Sequence, residues 1–341
     1  MSVFKVGIIG CGGRGKSHAA GYAASKDVEI VACSDPKTEN AEAMAKAHKI
    51  PKSGIYADYK KMLAEVKPDI VSVCTWTGMH AEMIINTAAS GVKAIHAEKP
   101  MAPTWGEARK LYQACVDNDV MITFCHQRRF GATFFKAKEL ANDGTIGELH
   151  KVEGYCSNLF DWGTHWFDMF FFYNNDEPAE WVMGQISWER EHSVFGVPVE
   201  TNGLSYIKWK NGLHGLLVTG RDSGGRCSNR LIGTKGIIEL NVPDGPSLRV
   251  MHEDASGWEV PDLKDVVPPG GDTTLSVLDL IDCLKTGREP VLSGRKALQA
   301  TELIFATYES SRKRARVYLP LEIEDSPLIS MLENGMLGSG K

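Results

Sequence analysis

No apolar run in the chain approaches the roughly 18 residues that a membrane-spanning helix needs, and residue 3 opens a strand-like stretch with no leader pattern before it. There is no CxxC pair among the eight cysteines. Cys33, Cys74 and Cys125 sit in apolar runs that read as buried strands, which suits reduced core thiols and a cytoplasmic setting better than a disulfide framework. His126 and His192 lack any ligand spacing of the HExxH kind, so no metal is expected. Internal repeats and low-complexity tracts are missing too. So is a broad basic field: 38 Lys and Arg against 43 Asp and Glu leave a net charge of −5, which argues against nucleic acid as the main partner. What remains is 341 residues with 43% hydrophobic and 24% charged content, the profile of a soluble globular protein. That length exceeds what one core usually accommodates, so two domains are expected.

The first third alternates short apolar runs with helical stretches. Strands are expected at residues 3–9, 28–33, 70–75, 92–96 and 120–125, and helices at 15–25, 38–48, 58–66, 81–90 and 104–118. Helices of this length between buried strands mean parallel βαβ units, hence a doubly wound α/β Rossmann domain over 1–125.

Two phosphate patterns share one address in that domain. Gly10-Cys11-Gly12-Gly13-Arg14-Gly15 fits GxGxxG, and residues 10–17 also fit GxxxxGK[ST], the loop of a triphosphate-binding protein. In either case backbone N–H groups at a helix N-terminus meet phosphate. A tight glycine turn with no ligand is the bland alternative. Position favours the dinucleotide, because the motif follows the first strand at once and Asp35 ends the next, twenty residues after Gly15. A carboxylate there can take both hydroxyls of an adenosine ribose. A 2′-phosphate about 4 Å from it would be repelled by roughly 4 kcal/mol at an effective dielectric near 20, which favours NAD over NADP. Lys37 softens that preference if it swings in.

Beyond residue 148 the texture changes. Strands are expected at 150–156, 179–189, 204–210, 213–219, 230–233 and 236–240, with one apolar, aromatic helix over 161–173. Asn211-Gly212 is a strong hairpin signal, and Thr234-Lys235 joins a second hairpin. Successive hairpins predict an α+β domain, 126–325, with a large, mostly antiparallel open sheet. Residues 252–273 read as loop, 274–285 and 298–314 as amphipathic helices at the domain junction, and 326–341 as a tail whose end frays. The alternation across 204–219 leaves a second sheet face to be covered, so a homodimer or homotetramer is expected.

Two segments carry candidate chemistry. Lys99, in Glu98-Lys99-Pro100, follows an apolar strand. Asp161-Trp162-Gly-Thr-His165-Trp-Phe-Asp168 sets an imidazole four residues after one carboxylate and three before another, which places both on its face if all are helical. Taken singly, each has an ordinary reading: a core histidine, a solvated lysine. Arg128 and Arg129 suit either substrate binding or ion pairs, and Trp162 either a sugar face or the core.

Together these pieces resemble the glucose–fructose oxidoreductase/inositol dehydrogenase/rhizopine-catabolism (Gfo/Idh/MocA) family. The likeness runs from GCGGRG and Asp35 through Thr75-Trp76-Thr77-Gly-Met-His80, Ala97-Glu98-Lys99-Pro100, Gln127-Arg128-Arg129-Phe130 and Gly144-Thr-Ile-Gly147 to DxGxHxxD and Tyr308-Glu309-Ser310. The resemblance implies an NAD- or NADP-dependent oxidoreductase acting on a sugar, polyol or cyclitol. By that likeness Lys99, Asp161 and His165 are catalytic, and Gly10–Gly15, Asp35, Thr75, Trp76, Thr77, His80, Glu98, Lys99 and Gln127 line the cofactor. Arg128, Arg129, Asn158 and Trp162 are candidate substrate contacts. Trp76 stands where many relatives have proline, and Cys-Ser-Asn158-Leu-Phe replaces a glycine-rich approach to Asp161. His165 is the expected acid/base and Lys99 the donor to the reacting oxygen, with Lys99 as base the alternative. Two further readings use the same residues: an NAD-dependent glycosidase or lyase with no net redox change, and a cofactor-responsive regulator.

Overall fold

The computed structural model describes residues 3–338. The first eleven elements are β1 (Phe4–Ile9), α1 (Gly13–Ala23), β2 (Val28–Ser34), α2 (Thr38–His48), β3 (Ile55–Tyr56), α3 (Tyr59–Val66), β4 (Ile70–Val73), α4 (His80–Ala88), β5 (Ala94–Ala97), α5 (Trp105–Asp117) and β6 (Met121–Phe124). Their strands form one six-stranded sheet in the order β3-β2-β1-β4-β5-β6. Every pairing in it is parallel. All four residues of β4 and of β5 are buried, as a sheet covered by helices on both faces requires.

The chain continues through α6 (Ala132–Asn142), β7 (Leu149–Cys156), α7 (Gly163–Tyr173), β8 (Ala179–Ser187), β9 (Ser193–Val194), β10 (Val197–Pro198), β11 (Asn202–Trp209) and β12 (His214–Gly220). It ends with β13 (Ser228–Gly233), β14 (Gly236–Leu240), β15 (Leu248–His252), α8 (Asp272–Thr286), α9 (Gly294–Lys313), β16 (Val317–Tyr318) and α10 (Pro327–Glu333). The second sheet runs β15-β14-β13-β7-β12-β11-β8-β16. It is antiparallel throughout except at its centre, where β7 and β12 pair in parallel. Both expected hairpins are present, and Gly212 takes the φ of +94° that the Asn211-Gly212 turn needs.

Two compact units emerge. One gathers Met1–Pro103, Glu107–Phe130 and Gly270–Leu298; the other gathers Thr104–Gly106, Gly131–Pro269 and Gln299–Lys341. Residues 270–298 thus cluster with the first unit, so neither compact unit is one continuous stretch of chain. The physical reason is α8, expected at a junction, whose Val277, Leu280 and Ile281 join Ala19 and Tyr22 of α1 in the first core. Gly21 allows that contact, since a Cβ there would lie 3.0 Å from the Val277 side chain. The expected terminal tail also contains a helix: Pro327 sits at its start and Leu328 and Met331 are buried. Residues 339–341 of that expectation lie outside the described part.

In the second unit α7 is the central element, with all eleven of its residues buried. Phe170 and Phe171 meet Trp209 edge-on at centroid distances of 6.4 and 5.7 Å. Each such side chain contributes about 1.5–3 kcal/mol when buried. Glycine lets the helix come this close: a Cβ on Gly154 of β7 would lie 2.9 Å from Phe170 and 3.1 Å from Trp166. Replacing Gly154 by valine should cost about 1–3 kcal/mol through overpacking. A lowered midpoint of thermal unfolding would register it, against Gly257→Ala as control, where an added Cβ meets nothing within 4 Å.

Candidate active site

At the end of β1 the chain turns sharply. Gly10 has φ +88° and its N–H donates to Ser34 O at 2.8 Å. A Cβ on Gly10 would collide with the Cys74 carbonyl, and one on Gly15 with the Gly10 carbonyl. Around Gly12 and Gly13, by contrast, an added Cβ meets nothing within 4 Å. Tight turn, open approach and close helix packing are the three glycine roles of a dinucleotide fingerprint. The helix already begins at Gly13, and Lys16 N–H bonds Gly12 O at 3.0 Å. Residues 13–16 are therefore helical and not an open loop ahead of Lys16, which does not fit the triphosphate-loop reading of residues 10–17.

Asp35, just beyond β2, is buried and fixed against this turn. Its Oδ2 accepts from Cys11 N–H at 2.9 Å and from Asn40 Nδ2 at 3.4 Å, and its Oδ1 accepts from Lys37 N–H at 2.8 Å. These donors hold the carboxylate in one orientation beside the glycine turn. Thr75, Trp76 and Thr77 follow β4; Thr77 is buried, whereas the Trp76 side chain is 66% exposed. His80 closes this wall, with Nδ1 at 2.9 Å from Pro100 O and Nε2 at 3.1 Å from Thr75 O. It thereby ties the end of β4 to the residue after Lys99, which is half-buried. Gln127, Arg128 and Arg129 form a 3-10 turn after β6, Arg129 buried. The buried Oε1 of Gln127 has no hydrogen-bond partner among the described residues, an acceptor available to a bound group.

Beneath Lys99 lies a buried polar network. Glu98 Oε1 accepts from Arg14 Nε at 2.7 Å and from His18 Nε2 at 2.9 Å. A carboxylate oxygen only accepts, so the His18 Nε2 carries the proton. His18 Nδ1 is 3.1 Å from Ser72 Oγ, which is 3.1 Å from Tyr22 OH. Arg14 also reaches Cys125 Sγ at 3.3 Å. Burial pushes the Glu98 carboxyl up, but His18 and then Arg14 outweigh it and hold the pKa at about 2. The Arg14 side chain, on one of the residues expected to line the cofactor, is thus engaged by Glu98. His96 packs at a tilt against His18 with centroids 4.5 Å apart and contacts Thr123 Oγ1 at 2.7 Å and Ser276 Oγ at 3.3 Å. His18, His96 and Cys125 bring potential ligand atoms within 4.8 Å of one another. Each of those side chains has the protein partners just named, so the cluster reads as hydrogen-bonded core.

The second unit holds the other predicted residues. Asp161 was expected on the helix beside His165, but α7 begins at Gly163. Asn158 is the cause: its O accepts Gly163 N–H at 2.8 Å and its Oδ1 accepts Asp161 N–H at 2.6 Å, which keeps 158–162 as a turn. His165 lies in the first turn of α7 and is 4% exposed; Asp168, one turn on, is 1% exposed. Trp162 is 38% exposed. The turn is held from below by Glu200, which is fully buried. Its Oε1 accepts from Leu159 N–H at 2.5 Å and Thr219 Oγ1 at 3.0 Å, and its Oε2 from Tyr308 OH at 2.7 Å. Burial raises its pKa above the ordinary value, against the pull of those donors. Neither Glu200 nor His18 was expected from sequence. The spacing of Arg14 and His18, one helical turn apart, is the signal that would have found the latter.

Burial, reinforced by the charge of His18, lowers the pKa of His96 well below 6.5, and burial lowers that of His80. Groups held neutral in the fold but free to protonate in the unfolded chain contribute stability above about pH 6.5, lost as pH falls. The melting temperature should therefore drop between about pH 7 and about pH 5, and His96→Asn should flatten that slope. An equal slope in both proteins would contradict the assignment.

Residues 4–126 match the family model for the NAD-binding Rossmann fold of the Gfo/Idh/MocA oxidoreductases, and residues 153–319 match that for the family's C-terminal α/β domain. Among curated relatives, the chain is 25% identical over 337 residues to myo-inositol 2-dehydrogenase of Thermotoga maritima, covering 92% of this chain and 98% of that one. It is 24% identical over 360 residues to D-apiose dehydrogenase of Paraburkholderia graminis, covering 97% and 94%. Among solved structures, levoglucosan dehydrogenase with NADH and levoglucosan superposes with a TM-score of 0.80 at 21% identity, covering 94% and 100%. With both halves of the chain matched by the family's models, this protein belongs to the Gfo/Idh/MocA family of NAD-binding oxidoreductases.

Proposed function

We propose that the protein oxidises, or in reverse reduces, one secondary alcohol of a sugar, polyol or cyclitol with NAD. The observation that carries this reading is the anchored Asp35 beside the Gly10–Gly15 turn, with half-buried Lys99 on the same unit. Names of relatives that act on inositol and apiose support the substrate class.

Oxidation takes a hydride from carbon and a proton from oxygen. The glycine turn, Asp35, residues 75–80 and Gln127 would hold NAD, which when bound would supply the hydride acceptor. The Lys99 ammonium donates to the reacting oxygen and stabilises the negative charge that develops there. His165 takes the proton as general base. Asp161 holds substrate hydroxyls or the imidazole tautomer, and Asp168 supports the ring from one helical turn away. Arg128, Arg129, Asn158 and Trp162 are proposed substrate contacts. We place the protein in the cytoplasm, where its eight free cysteines stay reduced, and as a homodimer or homotetramer. The exposed Met183, Leu204 and Tyr318 on the second sheet support that assembly.

Absorbance of the reduced nicotinamide over a panel of sugars and cyclitols tests the reading. Net NADH formation is expected; release of an aglycone without it would favour the redox-assisted glycosidase. His165→Asn should lower kcat/KM by about 10²–10⁴-fold and change the pH profile, and an unchanged rate and profile would remove the histidine from the mechanism. Asp35→Ser should shift preference toward NADP by about tenfold or more, since it removes the repulsion of a 2′-phosphate.

A further inference from the structure

The second unit contains a cleft of about 750 Å³ beside the turn that carries Asp161, with Trp162 in its wall. That volume is in the range of small-molecule sites. Its charge is unusual for a site meant for a neutral polyol. Three arginines line it, Arg190, Arg221 and Arg226, against two carboxylates, Glu189 and Glu200.

Both carboxylates are already committed. Glu200 is engaged by Leu159, Thr219 and Tyr308. Glu189 Oε1 accepts from Asn202 Nδ2 at 3.1 Å and pairs with Arg221 at 3.4 Å, and Arg221 also lies 3.7 Å from Asp222. Arg190 and Arg226 have no carboxylate partner among the described residues. Arg226 is moreover held in place. Its guanidinium lies 4.2 Å from the centroid of the Tyr155 ring, and its Nε donates to Ser223 O at 3.0 Å. The loop presenting it turns on Gly224 and Gly225, with φ +63° and +71°. Fixing one edge and one face of the guanidinium leaves its two terminal nitrogens as a fork, the geometry that binds carboxylate or phosphate bidentately.

We infer that this cleft is an anion subsite, and that the substrate is a hydroxylated molecule carrying a carboxylate or phosphate. The Trp162 indole flanks the sugar carbons while Arg226 and Arg190 take the charge. This deepens the dehydrogenase reading and rests on it for the word substrate, though not for the binding itself.

The test is calorimetric titration of galacturonate, gluconate and a hexose phosphate into the NADH-loaded protein, with glucose as neutral control. At least one anionic probe should bind about tenfold or more tighter than glucose, with an advantage that shrinks as salt is added. Which probe wins separates carboxylate from phosphate. Arg226→Gln should remove most of that advantage, and Arg226→Lys should keep part of it, because charge is retained and the fork is lost. Glucose binding as tightly as the anions, no anion binding, or an advantage surviving Arg190→Gln with Arg226→Gln would overturn the inference. NAD reduction by the same panel separates the two claims. An anion bound but not oxidised keeps the subsite and sinks the dehydrogenase, while a neutral sugar oxidised without anion preference does the reverse.

Discussion

The first unit depends on a charge that has no business being buried unless it is answered. Glu98 stands at the end of β5, 5% exposed, directly before Lys99. An isolated carboxylate there would cost several kcal/mol, and breaking a buried pair typically costs about 3–5 kcal/mol. The answer comes from α1. Arg14 and His18, one turn apart, both reach a single oxygen of Glu98. The helix that follows the glycine turn is thereby pinned to the strand that delivers Lys99. Ser72, Tyr22, His96 and Thr123 then satisfy what remains of the network. Geometry at the glycine turn and at Lys99 is one problem with one solution.

The second unit solves a parallel problem by different means. There the site residues stand on a turn and the first turn of a wholly buried helix, and what fixes them is close packing plus one more buried carboxyl. Gly154 removes a side chain that would hold α7 off the sheet, and Gly215 leaves room for Trp209, against which Phe170 and Phe171 pack. Glu200 accepts the Leu159 N–H two residues before Asp161, and so joins that turn to β12 through Thr219 and to α9 through Tyr308. A residue far from the motif in sequence sets the shape of the motif.

Local signals were the legible ones. Residues 38–48 form a helix with the boundaries their pattern predicts, and the glycine motif and the Asn211-Gly212 hairpin behave as their chemistry demands. Non-local ones were not. The β7–β12 parallel pairing joins strands roughly sixty residues apart, and nothing in either strand's alternation encodes its neighbour's direction. The apolar pattern carries Asp161 into the helix, whereas Asn158, an unremarkable loop residue, captures the Gly163 N–H and delays the start to Gly163. β15 lies between prolines and charged turns, and α6 and α10 border motifs whose signals are stronger than their own. The Glu98 and Glu200 networks bridge separations of 84 and 108 residues, beyond the reach of any periodicity.

If Glu98 is what locks α1 to the strand that bears Lys99, its charge should matter to the binding of NADH. The most direct measurement is calorimetric titration of NADH into the protein and into Glu98→Gln, at neutral pH, with circular dichroism to establish that both are folded. The account predicts a folded variant whose NADH affinity is lower by about tenfold or more, since one charged hydrogen bond is worth about 1.5–3 kcal/mol. A folded variant that binds NADH as tightly as the parent protein would contradict it.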